Sequence, residues 1–157
     1  MPGRAAVYEV GPGLTYTNLG SVPWTGLQPG DTVNVHYQAG GYHEVILLSG
    51  SGTAGAPITL NGVPDPVTGA LPALDGAGAV TATNVPWHDA SLNSEGVIVI
   101  SPDAHQPYPY YPQWITIQNL HVLDASPSNE LTTAAGAATS YASTAAAIYG
   151  STRNTWS

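Results

Sequence analysis

The chain has 157 residues, the length of one domain with a buried core of its own. Its only Lys or Arg residues are Arg4 and Arg153, and 10 Asp and Glu residues bring the formal net charge to −8, which excludes nucleic acid and anionic membrane surfaces as partners. The absence of cysteine excludes disulfides and thiolate metal sites, and no run of about 18 apolar residues could span a bilayer.

The low content of charged residues is typical of a secreted protein. Only 8% of the residues are charged, against roughly 25% in an average soluble domain, so Ser, Thr, Asn and Gly must supply the solubility. We therefore expect a secreted, extracellular location, although the N-terminus lacks the apolar segment of a signal peptide.

Short β-branched runs, each closed by Gly, Asn or Asp, recur along the chain and predict an all-β fold. Helical periodicity is nearly absent, and the linkers contain turn dipeptides but no helix long enough to cross over a parallel sheet. The predicted strands are, in chain order, 32–35, 45–48, 57–60, 71–74, 97–100, 114–117, 121–123 and 146–149.

Three longer segments of different character separate some of these strands: 77–96, 101–113 and 125–145. The last is rich in Ala, Thr and Ser, and its glycine and β-branched threonines make a helix weak there. We interpret all three as loop excursions. An antiparallel sandwich or barrel and a parallel solenoid both remain open, and the recurring Asn and Gly at turns favour the solenoid, because these residues adopt left-handed conformations at low cost.

Four sequence blocks resemble the N-terminal part of the pectate-lyase-like superfamily of right-handed parallel β-helix proteins. They are "PGDTVNV", "GGYHEVILLSGSGTAGAPITLNG", "ALPALDG" and "WITIQNLHV", and the resemblance covers roughly residues 7–124. It implies a right-handed parallel β-helix (β-solenoid) in a single domain over residues 1–157. An N-terminal cap region would occupy about 1–30, and the first coils with their loop excursions would occupy 31–157. The resemblance further implies that the chain is a fragment of a longer solenoid.

The cluster of His36, His43 and Glu44 is the first candidate for chemistry. The stretch "HEVIL" begins like a zinc-protease helix but has Leu47 where the second histidine would stand, which excludes that site. The resemblance implies a structural glutamate here, so we expect Glu44 to face solvent or to cap a backbone group. We likewise expect turn-capping roles for two aspartates at equivalent strand ends, Asp75 and Asp124.

No complete catalytic site can be assigned from the residue types. Lyases of the resembling family use a Lys or Arg base and a cation that neutralises the substrate carboxylate, and the chain has too few cations for both. The sequence indicates no particular pair of carboxylates for glycoside hydrolysis. The residue types alone do not exclude a Ser-His-Asp triad, but no nucleophile elbow supports one. The catalytic residues are therefore unknown and no metal site or cofactor is evident, while calcium in the full-length protein stays open.

Two of the excursions combine aromatic and polar residues in the way that sugar sites do, with prolines stiffening the second. Packing of these loops against the flank of the fold is the competing interpretation. The candidate carbohydrate-binding residues are Trp87, His88, Asp89, Asp103, His105, Tyr108, Tyr110, Tyr111 and Trp114.

Together these features predict the N-terminal part of an extracellular β-helix protein that acts on or binds polysaccharide. The resemblance implies a lyase-like protein whose catalytic residues lie largely outside this stretch. The alternative is a structural β-solenoid, such as a secreted fibre, adhesin or spike, and a β-sandwich carbohydrate-binding module is a third interpretation. The expected partners are polysaccharide and, at an open C-terminal end, the remaining coils or another copy of the chain.

Overall fold

The structure is a computed structural model that describes residues 3–107 and 109–151. Strands account for 37% of the structure and helices for 7%, which confirms the predicted all-β class. The strands are β1 (Val7–Val10), β2 (Thr32–His36), β3 (Glu44–Leu48), β4 (Ile58–Val63), β5 (Ala73–Asp75), β6 (Ala79–Thr81), β7 (Gly96–Ile100), β8 (Ile115–Gln118), β9 (His121–Leu123), β10 (Glu130–Thr132), β11 (Ala138–Ser140) and β12 (Ala146–Gly150). Short 3₁₀ helices span Leu19–Ser21, Trp24–Gly26 and Ala90–Ser94. None of the helices in this part of the chain is long and apolar enough to cross a membrane.

Each of the eight predicted strands coincides with an observed one, apart from shifts at the ends. Four strands escaped prediction: β1, β6, β10 and β11. The last two form an antiparallel hairpin inside the segment 125–145, so the interpretation of that segment as a plain loop is wrong. The hairpin turns at Gly136, whose φ is +81° and whose N–H donates to Thr133 O.

The first sheet contains β1, β2, β4 and β8, in that order and all parallel. Its alternating sequence sends one set of side chains inward, and Val33 and Leu60 lie side by side in the core. The opposite set forms a polar row on the outer face, which crosses the sheet from Glu9 through Asn34 and Asn61 to the glutamine at the end of β8.

The remaining strands form a six-stranded sheet, ordered β11-β10-β6-β3-β7-β12, and a parallel pair of β5 and β9. Two strands pair with successive parts of β3: β6 with Glu44 and Val45, and β7 with residues 46–48. The six-stranded sheet is mixed, because β10 is parallel to β6 but antiparallel to β11.

The prediction of a right-handed parallel β-helix is wrong. The strands form three separate sheets, parallel and mixed, one of which is curled into a half-barrel. A regular solenoid stacks each strand on a single equivalent of the next coil. Here the segment 82–95 leaves the sheet between β6 and β7, so two strands share β3, and the hairpin of β10 and β11 adds an antiparallel edge. Residues 7–10, in the region expected to form a cap, are a strand of the first sheet.

The main core lies between the sheets and is built from aliphatic side chains. Leu60, Leu74, Ile46 and Ile98 are at most 1% exposed, and each contributes about 1.5–3 kcal/mol of burial free energy. This core fixes the end of β3 and the start of β4, and the chain between them, residues 49–57, forms one wall of the site described next.

Candidate functional site

Residues 101–107 and 109–114 lie across residues 49–53, and the first of these two stretches is anchored by Asp103. Ser49 Oγ donates to Asp103 Oδ2 at 2.7 Å, and the backbone N–H of His105 donates to Oδ1 at 2.8 Å. The side chain of Gln106 adds two further hydrogen bonds: its Nε2 donates to Ser49 O, and its Oε1 accepts from the Asp103 N–H. Asp103 is 3% exposed with both carboxylate oxygens engaged, so it holds the loop in place.

The second stretch, residues 109–114, is fixed on Ser51. The hydroxyl of Tyr110 donates to Ser51 Oγ at 3.1 Å, and the backbone N–H of Gln113 donates to the same oxygen at 2.9 Å. Gly52 N–H then donates to Gln113 O at 2.9 Å. These bonds tie both ends of the aromatic stretch to a short, glycine-containing turn.

A cleft of about 340 Å³ opens where the two segments meet, within the roughly 300–1,000 Å³ of small-molecule sites. Two aromatic side chains of the cleft reach solvent: Tyr111 is 38% exposed and Trp114 is 55% exposed. The cleft is lined by Ser51, Gly52, Pro109, Tyr110, Tyr111, Gln113 and Trp114, none of which carries a charge.

Trp114 has a backbone φ of +55°, in the left-handed region that a bulky residue rarely adopts. Two contacts hold it there. Its carbonyl accepts from Ile58 N–H at 3.0 Å, and the backbone of Gly52 passes so close that a Cβ on this glycine would lie 2.6 Å from the same oxygen. Such strain costs about 1–3 kcal/mol, and the residue that bears it remains 55% exposed.

Trp87, expected as a sugar-binding residue, lies away from the cleft and packs against the core. Its indole is partly buried and contacts two apolar clusters, one around Val45 and one around Leu47. The indole nitrogen is buried with no hydrogen-bond partner among the described residues. The backbone of Trp87 forms an antiparallel β-bridge with that of Asp103, so Trp87 also helps to hold this loop in position.

His88 approaches a serine in a way that bears on the open question of a catalytic triad. His88 Nε2 lies 2.9 Å from Ser101 Oγ, but Ser101 is fully buried and therefore closed to a substrate. The nearby carboxylate of Asp103 is already bound to Ser49 and to the His105 backbone. Within the described residues these contacts build no Ser-His-Asp triad.

The remaining predicted site residues do not all lie at one place. Tyr110, Tyr111 and Trp114 meet in the cleft, and Asp103 and His105 lie at its anchored side, with Asp103 Oδ1 3.5 Å from His105 Nδ1. Asp89 caps the 3₁₀ helix at 90–94 by accepting from Ser91 N–H, and this bond lowers the pKa of its carboxyl. Tyr108 lies outside the described residues.

Sequence reasoning missed Ser51, Gly52 and Gln113. Two of these residues lie in the stretch "SGSGT" at 49–53, which belongs to a block of the β-helix resemblance and lacks the flanking residues of a nucleophile elbow. The available signal was its pair of glycines, which predicts a close approach of another backbone. Gly52 fulfils that role against Trp114.

Glu44, in the cluster that first suggested chemistry, has a structural role. Its two carboxylate oxygens accept from the backbone N–H groups of Leu19 and Gly20, both at 2.8 Å. This confirms the prediction that Glu44 caps a backbone group. Asp75 likewise caps its own turn, because Oδ1 accepts from Ala77 N–H at 2.8 Å, and Asp124 takes a left-handed conformation with a φ of +63°.

His36 joins a polar cluster on the outer face of the first sheet. Its Nε2 lies 2.5 Å from Glu9 Oε2, while Asn34 Nδ2 donates to Glu9 Oε1 at 2.9 Å. The hydrogen bond from Asn34, followed by that from His36, lowers the pKa of the Glu9 carboxyl. Asn61 continues the row by donating to Asn34 Oδ1 at 3.0 Å.

In residues 3–107 and 109–151 no three His, Asp or Glu side chains converge closely enough to hold a metal ion. No family model matches the chain, and no curated protein or solved structure matches it either. The resemblance to pectate-lyase-like proteins therefore stays a prediction.

Proposed function

We propose that this protein binds polysaccharide, and that the cleft between residues 49–53 and 109–114 is the binding site. One observation carries the proposal: Trp114 is 55% exposed, and its backbone is held in a strained, left-handed conformation. Strain of this kind persists at ligand sites, where the surrounding structure imposes it.

The chemistry of the cleft suits a sugar ring. The flat faces of Trp114 and Tyr111 can stack on the apolar face of a pyranose, which carries its hydrogens outward. The side-chain amide of Gln113 and the hydroxyl oxygen of Tyr110 line the same cleft and can hydrogen-bond with the ring's hydroxyl edge, while Ser51 is already engaged by its neighbours and positions the loop. Pro109 and Pro112 restrict the loop before a ligand arrives, which lowers the entropy cost of binding.

The proposal is of binding without turnover in this cleft. Its lining contains no carboxylate, imidazole or amine that could act as a general acid or base. The extracellular location expected from the composition is part of the proposal and is compatible with a polysaccharide ligand.

Affinity electrophoresis against a panel of soluble polysaccharides tests the proposal, followed by calorimetry with any ligand that retards the protein. We expect Trp114→Ala and Tyr111→Ala each to weaken binding by about tenfold or more, which corresponds to 1.4 kcal/mol. Val67→Ala is the control, since Val67 is 89% exposed and does not line the cleft. Unchanged affinity in both aromatic variants would contradict the proposal.

A further inference from the structure

We infer that the ligand of this cleft is a neutral glycan and not a polyuronate. The inference rests on the proposed function and names the substrate class of the same site. It departs from the lyase-like expectation, in which the ligand would carry a carboxylate on each sugar.

The groups that meet the ligand are all uncharged. The cleft offers two aromatic faces, a carboxamide, the hydroxyl oxygen of Tyr110 and backbone, which together bind C–H faces and hydroxyl groups. A uronate carboxylate bound there would lose water and gain no ionic partner, and desolvating an unpaired charge is strongly unfavourable.

The charged residues on the same loop do not supply an ionic partner for a uronate carboxylate either. Asp103 is an acidic residue that is 3% exposed, and Nδ1 of His105, on the same loop, lies 3.5 Å from Asp103 Oδ1. Any charge on the His105 ring therefore already has an acidic partner within the protein.

The chain as a whole would repel a polyanion. Its net charge is −8, and Arg4 and Arg153 are its only strong cations. Arg4 precedes β1 and is not part of the cleft lining, and Arg153 lies outside the described residues. A polyuronate carries one charge on every ring, so several like charges would approach within the Debye length of about 8 Å at physiological salt.

The experiment uses pairs of polymers that differ only in charge. Several polyuronates are each tested beside their own carboxyl-reduced, neutral forms, together with common neutral glycans, in EDTA and again with added calcium. The proteins are the full chain, Trp114→Ala, and Arg4→Gln as the control for a cation outside the cleft.

We expect at least one neutral glycan to bind in a Trp114-dependent way, and each acidic polymer to bind about tenfold or more weaker than its reduced form. Arg4→Gln should leave binding of the neutral glycan unchanged. Equal or tighter binding of an acidic polymer, lost in Trp114→Ala, would overturn the neutral class while leaving the cleft as the site. Binding that ignores Trp114, or no binding to any glycan, would overturn the proposed function together with this inference.

Discussion

At the scale of single residues, the backbone conformation of Trp114 is unfavourable for stability, whereas its exposed indole suits the proposed binding. The indole is exposed and its φ of +55° is one that favours Gly or Asn, yet a tryptophan occupies it. The two other non-glycine residues with positive φ among those described are Asn119 and Asp124, which are types that tolerate the conformation. The sequence predicted a turn at these two positions from residue type, whereas nothing in the local sequence marks Trp114 as left-handed.

Replacing this tryptophan by asparagine should separate the two properties. We expect Trp114→Asn to change the free energy of unfolding by no more than about 1 kcal/mol, because the strain that asparagine relieves is offset by the part of the indole surface that is no longer buried. Urea denaturation measures this change, and calorimetry should show glycan binding to be lost. A loss of stability well beyond about 1 kcal/mol would mean that the indole contributes packing that outweighs the strain.

At the scale of elements, the site depends on two segments that touch through backbone atoms. Residues 49–53 and 109–114 share the bond from Gly52 N–H to Gln113 O, and Ser51 Oγ accepts from Gln113 N–H on the same side. A Cβ on Gly52 would lie 2.6 Å from Pro57 Cα and from Trp114 O, so only glycine fits between them. Gly55, in the same turn, would meet no atom within 4 Å.

This pair of glycines gives a matched test of the contact. We expect Gly52→Ala to destabilise the fold by about 2–4 kcal/mol and to abolish binding, because the added methyl group must displace the backbone that carries Trp114. Gly55→Ala should change stability by less than about 1 kcal/mol and leave binding intact. Chemical denaturation and calorimetry on both variants measure these effects, and equal behaviour of the two would show that the close approach is not required.

At the scale of the whole molecule, strand positions could be predicted and the arrangement of strands could not. Alternation in "TVNV" and the aliphatic run "GVIVI" are local patterns, and both segments are strands. The partners of each strand are a long-range property, so nothing local reveals that β6 and β7 share β3. The strands "ELT" and "ATS" carry too little apolar alternation to be recognised, and their hairpin makes the sheet mixed.

The candidate site, like the fold, could be predicted from the sequence only in part. The aromatic and proline composition of 101–114 predicted sugar-binding residues in this loop, and Tyr110, Tyr111 and Trp114 do lie together in one cleft. It could not distinguish Trp114, which faces solvent, from Trp87, which packs against the core. Burial of an aromatic side chain depends on what lies opposite, and that is set by the tertiary structure.

Two buried tyrosines link the stability of the whole fold to pH. Tyr42 donates its hydroxyl proton to His36 O at 2.7 Å, and Tyr141 donates to Gly76 O at 2.9 Å. Burial, followed by the charge of Glu44 for Tyr42 and of Asp75 for Tyr141, raises the pKa of each phenol from 10.0 to about 12. Because the folded pKa lies above the unfolded one, the fold favours the neutral phenol. The contribution of each neutral phenol to the free energy of unfolding is complete below pH 10 and is lost as the pH rises toward 12.

We therefore expect the free energy of unfolding to fall between pH 10 and pH 12 by about 2 kcal/mol per tyrosine, measured by urea denaturation at a series of pH values. Tyr42→Phe and Tyr141→Phe should each cost about 1 kcal/mol at neutral pH, through the lost hydrogen bond, and should each remove about half of the alkaline dependence. The double variant should lack both contributions, since phenylalanine has no proton to lose. If the double variant kept the parent's full slope above pH 10, the alkaline sensitivity would have to originate in other groups.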